Sequence, residues 1–342
     1  MKTKKDRGFF DEDFRLEKLS QKQDPLEKLN KYIQWEIFRP ILTKALEITP
    51  KGKGGRPPYD YIMMFKILIL QRYYNISDEQ TEYQILDRLS FMRFLGLTLS
   101  DRVPDHNTIW LFREKLIENN LIEQLFDLFK SELNKLGLIA NQGSIVDASF
   151  VEVPRQRNNR QENKEIKENR TPERFKQNPN VESHKDIDAR WTKKDGVTYY
   201  GYKNHIKVCK KSKLIEQYDV TDASVHDVNV LEELIDETNR FQELYGDSAY
   251  NTKSTNKLLE EQSIKPLFNE KGARYKKLTR EQFENNRQKS KTRARVEHVF
   301  GFIEKCMHGS YINTIGIKRA TALVGLMNLT YNCFRYIQLV RT

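Results

Sequence analysis

Between about residues 28 and 138 apolar positions recur every three or four residues, the spacing of helices that each bury one face. "KLNKYIQWEIFRPILTKAL" reads as an amphipathic helix, "KGKGGRPP" breaks it, and "YDYIMMFKILILQRYYN" reads as a buried helix. Ser77 opens "SDEQ", a capping-box pattern that starts another helix. "LSDRVPDHNT" is a loop offering Asp105 or Asn107 as the cap of "TIWLFREKLIENNLIEQLFDLFKSELNKLG". Two helices joined by a short polar loop are compatible with a helix-turn-helix, but plain helix packing is the stronger reading. Residues 1–27 are polar and predict a loosely held arm.

After Gly137 the period shortens to two. "GSIVDASFVEV" alternates, placing Ile145, Asp147, Ser149, Val151 and Val153 on one face of a strand. Residues 155–195 are nearly free of apolar side chains and read as a flexible polar insertion. "GVTYYGYKNHIKVCK" and "LIEQYDVT" are two more strands, a hairpin turning at "KKSK". "HDVNVLEELIDETN" reads as a helix, "QELYGDSAY" as a strand and turn, "TKSTNKLLEEQ" as a helix and "SIKPLF" as a short strand. A last helix carries Val296, Val299, Phe300, Ile303 and Met307 on one face. The expected architecture is an arm to residue 27, a helical region over 28–138, and a mixed α/β layer over 139–342.

Charge narrows the partner. The 342 residues carry a net +11, which favours a polyanion, either nucleic acid or an anionic membrane surface. The apolar run from Tyr61 to Leu70 is too short to span a bilayer and contains Lys66, so no membrane span is predicted. "MKTKKDRGFFDEDF" lacks the apolar core of a signal peptide, and Cys209, Cys306 and Cys333 stand far apart. Both features fit a reducing, cytoplasmic setting. With six scattered histidines and no HExxH motif, any metal falls to oxygen ligands. The charge is concentrated: residues 271–295 hold ten Lys/Arg against Glu281 and Glu284, a net +8. Such a run is commonly a solvated face, but here it leads directly into an amphipathic helix carrying a carboxylate, which favours phosphate binding. Lys276, Lys277, Lys289 and Lys291 are its candidate DNA contacts.

Three carboxylates, each a weak signal alone, are candidates for a shared site. Asp147 lies inside an apolar strand, where an unpaired charge costs several kcal/mol. Asp247 follows a strand at a Gly-containing turn, the edge where α/β sheets place ligands. Glu297 flanks the apolar face of the last helix one turn after Arg293, and a surface ion pair with that arginine is its plain alternative. Together the three are able to gather two Mg2+ or Mn2+ ions, which clamp the attacking and leaving oxygens of a phosphodiester displacement.

The set "GSIVDAS", "YGYKNHI", "VTDASVHD", "YGDSAY" and "RARVEHVF" resembles the DDE transposases of bacterial insertion sequences, specifically the group named after insertion sequence five. "GGRPPYDYIMMFKILILQRYYNISDEQTEYQILDRLSFMRFLGL" and "VPDHNTIWLFREKL" are similar to that group's helical N-terminal region, and the likeness runs in order over about residues 30–335. It implies a ribonuclease-H-like core, with Asp147, Asp247 and Glu297 as the catalytic, metal-holding triad. It further implies double-stranded DNA as partner, at terminal repeats and at a target, bound by a homo-oligomer, expected to be a dimer on DNA in the bacterial cytoplasm. The related insertion-sequence-four group carries Tyr-x2-Arg-x3-Glu-x6-Lys; here Arg293 and Glu297 keep their spacing, Ser290 replaces the Tyr, and Glu304 holds the Lys position with Lys305 next to it. Arg293 and Arg295 are then expected to engage phosphates, Arg113 to serve end recognition, and Lys203 and His205 of the "GYKNH" segment either to touch DNA or to stabilise a hairpin. Asp227 reads as a helix-opening acid, ranked behind the triad as a ligand.

Three functions fit these features: a metal-dependent DNA transposase, a nuclease or resolvase without strand transfer, and an inactive DNA-binding regulator. The presence of all three acids weighs against the last, and the long helical region weighs against a simple nuclease.

Overall fold

The computed structural model describes residues 8, 10–46, 57–140, 142–156, 158–272 and 277–340. The chain divides into two compact units, residues 1–121 with 337–342, and residues 122–336.

The first unit is helical: α1 (Asp11–Gln21), α2 (Pro25–Tyr32), α3 (Arg39–Leu46), α4 (Tyr61–Tyr74), α5 (Asp78–Asp87), α6 (Leu89–Leu95) and α7 (His106–Glu118). Helix α4 is apolar on nearly every side because its neighbours cover it; Phe65, Ile67, Leu68, Ile69 and Leu70 are all fully buried. Ser77 caps α5 through the Gln80 N–H, and Asp105, one of the two candidates, caps α7 through the Thr108 N–H. Within the expected N-terminal arm, α1 and α2 are regular. Arg93 holds them there, donating to Leu16 O at 3.2 Å, Ser20 Oγ at 2.8 Å and Asp24 Oδ2 at 2.8 Å.

The second unit opens with α8 (Leu121–Lys135). Its apolar stripe, Ile122, Leu125, Phe126, Phe129 and Leu133, is buried, and the Phe126 ring meets Tyr218 edge-on at 4.8 Å. Strand β1 (Ser144–Glu152) follows, then α9 (Arg160–Lys167), α10 (Glu173–Lys176), α11 (Pro179–Glu182), β2 (Arg190–Lys194), β3 (Val197–Cys209) and β4 (Ile215–Asp222). A short 3-10 turn (Asp227–Val230) leads into α12 (Leu231–Leu234), β5 (Glu243–Gly246), α13 (Lys253–Glu261), β6 (Lys265–Phe268), α14 (Arg280–Cys306) and α15 (Ile317–Leu339).

The sheet runs β2-β3-β1-β5-β6, with β4 also paired to β3. Strand β3 is long enough to pair with β2 through Val197–Gly201 and with β4 through its second half. Strand β1 is antiparallel to β3 and parallel to β5, and β5 is parallel to β6. This curled mixed sheet with helices packed against it, preceded by a helical region, is the ribonuclease-H-like architecture expected from the sequence. The polar segment 155–195 is more ordered than its composition predicts. Ile166 and Phe175 are buried, and the Tyr202 hydroxyl donates to the buried Asp186 carboxylate, its oxygen 2.9 and 2.8 Å from the two carboxylate oxygens. Among the described residues no helix is long and apolar enough to cross a membrane.

Candidate active site

The register of the parallel pair brings two of the acids near each other. Ser144 is opposite Leu244 and Ile145 opposite Tyr245, so the end of β5, where Asp247 follows, comes near Asp147, and the Asp247 charge acts on the Asp147 carboxyl. Asp247 lies just past the end of β5, its Oδ1 accepting the Ala249 N–H at 2.7 Å. The preceding Gly246 has no room for a side chain: a Cβ there would stand 3.0 Å from the rings of both Phe268 and Tyr250.

Asp147 is mostly buried, with 16% of its side chain exposed. Burial pushes its carboxyl up to about 6; the Ala148 N–H and the Arg293 guanidinium pull the other way, and Asp247 adds to the rise.

Helix α14 brings the third acid. Thr279 and Gln282 form its capping box, and Val296, Val299, Phe300 and Ile303 form the buried stripe that the spacing predicts. Glu297 lies beside that stripe, 64% exposed, and does not touch the other two acids directly; Arg293 links it to Asp147. The Arg293 Nη1 is 3.2 Å from Asp147 Oδ2 and its Nη2 is 3.7 Å from Glu297 Oε1. Arg293 Nε is buried with no hydrogen-bond partner among the described residues. As the side chains stand, no three His, Cys, Asp or Glu groups among the described residues meet at metal-binding spacing. The donor set of Asp147, Asp247 and Glu297 is nevertheless all carboxylate oxygen, the chemistry that Mg2+ and Mn2+ select.

The basic candidates divide by their surroundings. On α14, Lys291 is exposed, Arg295 is exposed with Nη1 2.6 Å from Lys210 O, and Lys289 donates to Phe268 O at 3.0 Å. Lys277 is exposed just ahead of the helix, and Lys276 lies outside the described residues. Lys203 and His205 share one face of β3, as their spacing predicts. They stand opposite Phe150 and Ala148, whereas Asp147 stands opposite Ile206, so they point to the other side of the sheet from Asp147. Lys203 Nζ donates to Asp227 Oδ1 at 2.8 Å and to Val225 O at 2.6 Å. His205 is fully buried, with Nε2 2.9 Å from Thr221 Oγ1. In the first unit Arg113 donates to both Asp78 oxygens, at 2.7 and 2.8 Å, and to Gln71 Oε1 at 2.8 Å, so its guanidinium is engaged inside the fold.

Two pairings have little or no local signature in the sequence. The Arg293–Asp147 bond joins residues 146 positions apart, and the Lys203–Asp227 pair joins a strand to a turn 24 positions on. The Arg–Glu spacing at 293 and 297 is the single local sign of the first.

Comparison with known proteins places this arrangement. The family model described as "Transposase domain (DUF772)" matches residues 14–115, and that described as "Transposase DDE domain" matches residues 140–333. The chain also has a likeness to the cryo-EM structure of the piggyBac transposase synaptic complex with hairpin DNA, over 92% of this chain and 75% of that one, at 12% identity and a TM-score of 0.45. At that level the structural likeness is weak, and the family models decide. The first covers the helical unit and the second, more than half of the chain, covers the sheet and both long helices that follow it, so the protein belongs to the DDE transposases and is a DNA transposase.

Proposed function

We propose that Asp147, Asp247 and Glu297 are the catalytic triad with which this transposase cuts the ends of its element and joins them to a target. The observation that carries this is the placement of Asp147: a mostly buried carboxylate near the end of β5, where Asp247 follows, and linked through Arg293 to Glu297. The family is generally dependent on a divalent metal. Two Mg2+ or Mn2+ ions held by these three acids would supply Lewis-acid stabilisation of the attacking and leaving oxygens.

This chain's own residues do the rest. Arg293, on the helix that carries Glu297, is placed to take a phosphate oxygen next to the acids, its planar fork matching phosphate geometry. Arg295, Lys289, Lys291 and Lys277 continue the positive strip along α14 and its approach, and bind backbone without reading sequence. Lys203 belongs to the support of the site, because its donors are committed to Asp227 and to the backbone. His205, fully buried on Thr221, stabilises the β3–β4 pairing, and Arg113, bonded to Asp78, stabilises the helical unit. The helical unit recognises the terminal repeats, and two copies of the chain act on the two ends of the element.

The test is cleavage, in Mg2+, of DNA carrying the inverted repeats that flank the reading frame. Asp147→Asn, Asp247→Asn and Glu297→Gln each remove a ligand charge at nearly constant volume. Each is expected to abolish cleavage and leave DNA binding largely intact. Any one that retains Mg2+-dependent cleavage is not a triad member.

A further inference from the structure

We infer that Arg293 is a built-in counter-cation of the acidic site, one that competes with divalent metal until DNA draws it away. The inference rests on the triad proposed above and concerns the order in which that site is loaded. One guanidinium spans two of the three acids, reaching Asp147 Oδ2 at 3.2 Å and Glu297 Oε1 at 3.7 Å. An ion such as Mg2+ binds carboxylate oxygens at about 2.0–2.1 Å. A guanidinium of like charge cannot keep both contacts while such an ion takes the same oxygens. Asp147 Oδ1 already accepts the Ala148 N–H at 2.9 Å, so a metal drawn to Oδ2 competes with Arg293 for that oxygen.

The arginine has somewhere to go. Its side chain is 26% exposed, so an incoming phosphate can reach the Nη groups. A phosphate offers oxygens in the geometry of its fork. Arg293 and Glu297 are four residues apart on one continuous helix, so the exchange needs side-chain rotation and no movement of α14. A phosphate that holds Arg293 frees the carboxylates, and a metal on the carboxylates frees Arg293. Metal and DNA then raise each other's affinity by the same factor. The device would keep the acids from holding metal tightly where no DNA is bound.

The experiment measures Mn2+ binding to the full chain without DNA, from the electron paramagnetic resonance signal of the free ion. Arg293→Gln keeps polarity and drops the charge; it is expected to bind Mn2+ about fivefold tighter than wild type or better, within the usual range of site coupling. Arg293→Lys keeps the charge and is expected to stay near wild type. With a DNA duplex present, wild type is expected to gain more Mn2+ affinity than Arg293→Gln. A folded Arg293→Gln that binds Mn2+ no tighter than wild type overturns the inference, as does an equal gain from DNA in both. Asp147→Asn separates this from the triad itself: Mn2+ affinity unmoved by that change would remove the acidic site on which the inference stands.

Discussion

His205 offers a quantitative test of whether the "GYKNH" segment bears charge toward DNA. Burial drives its pKa down from 6.5 to about 4, against the pull of Asp227 at 3.9 Å and with a smaller downward push from Lys203. The imidazole is thus neutral in the folded protein at pH 7, and a neutral ring bonded to Thr221 brings no cation to a phosphate. In the unfolded chain the same histidine titrates near 6.5. Unfolding therefore takes up a proton between these two values. The stabilisation that neutral His205 contributes is complete above about pH 6.5 and is lost as pH falls toward 4. At pH 5 the loss comes to about 2 kcal/mol, from about 1.4 kcal/mol for each of about 1.5 pH units. His205→Gln can still bond Thr221 but cannot take the proton. Urea unfolding at about pH 7.5 and about pH 5 should show wild type losing about 2 kcal/mol more than the variant. Parallel losses would refute the reasoning.

Neutralising Lys277, Lys289 and Lys291 together to Gln is expected to flatten the dependence of log K for DNA on log salt, by about 0.9 for each phosphate these lysines neutralise; an unchanged slope would assign them to solvent. Arg113→Met should cost about 3 kcal/mol in thermal or urea unfolding, because it leaves the Asp78 carboxylate part-buried without its bidentate partner. Its salt slope for DNA should stay that of wild type; a shallower slope at unchanged stability would show that Arg113 faces DNA.

The parts of this fold legible in the sequence were those set by local period and turn chemistry. The stripe of Val296, Val299, Phe300 and Ile303 marked α14, the alternation around Asp147 marked β1, and "KKSK" marked the turn between β3 and β4. Asp105, at the loop end, marked the start of α7. The segment 155–195 misled because its order comes from distant partners. Tyr202 on β3 bonds the Asp186 carboxylate, and the N–H groups of Gly316 and Ile317, at the start of α15, reach Asp186 and Asp188. Low apolar content says nothing about such anchors. Helix α8 reads in sequence like its predecessors, and the tertiary contact of Phe126 with Tyr218 assigns it to the second unit. At the site, the sequence offered the acid types but not how they meet. The bond from Arg293 to Asp147 depends on how α14 crosses β1, which no window of sequence records.

The central claim is that acids separated by 100 and 50 positions in the chain hold metal together on DNA. Asp247→Asn tests it most cleanly, because an asparagine oxygen can still accept the Ala249 N–H that shapes the turn. The measurement is thermal unfolding of wild type and Asp247→Asn, each with Mn2+ and a pre-cleaved terminal-repeat duplex. Wild type is expected to rise by an amount set by mass action, about 2.7 kcal/mol of stabilisation at a hundredfold excess over the dissociation constant, and the variant by clearly less. Equal stabilisation of the two proteins by metal and DNA would contradict the claim.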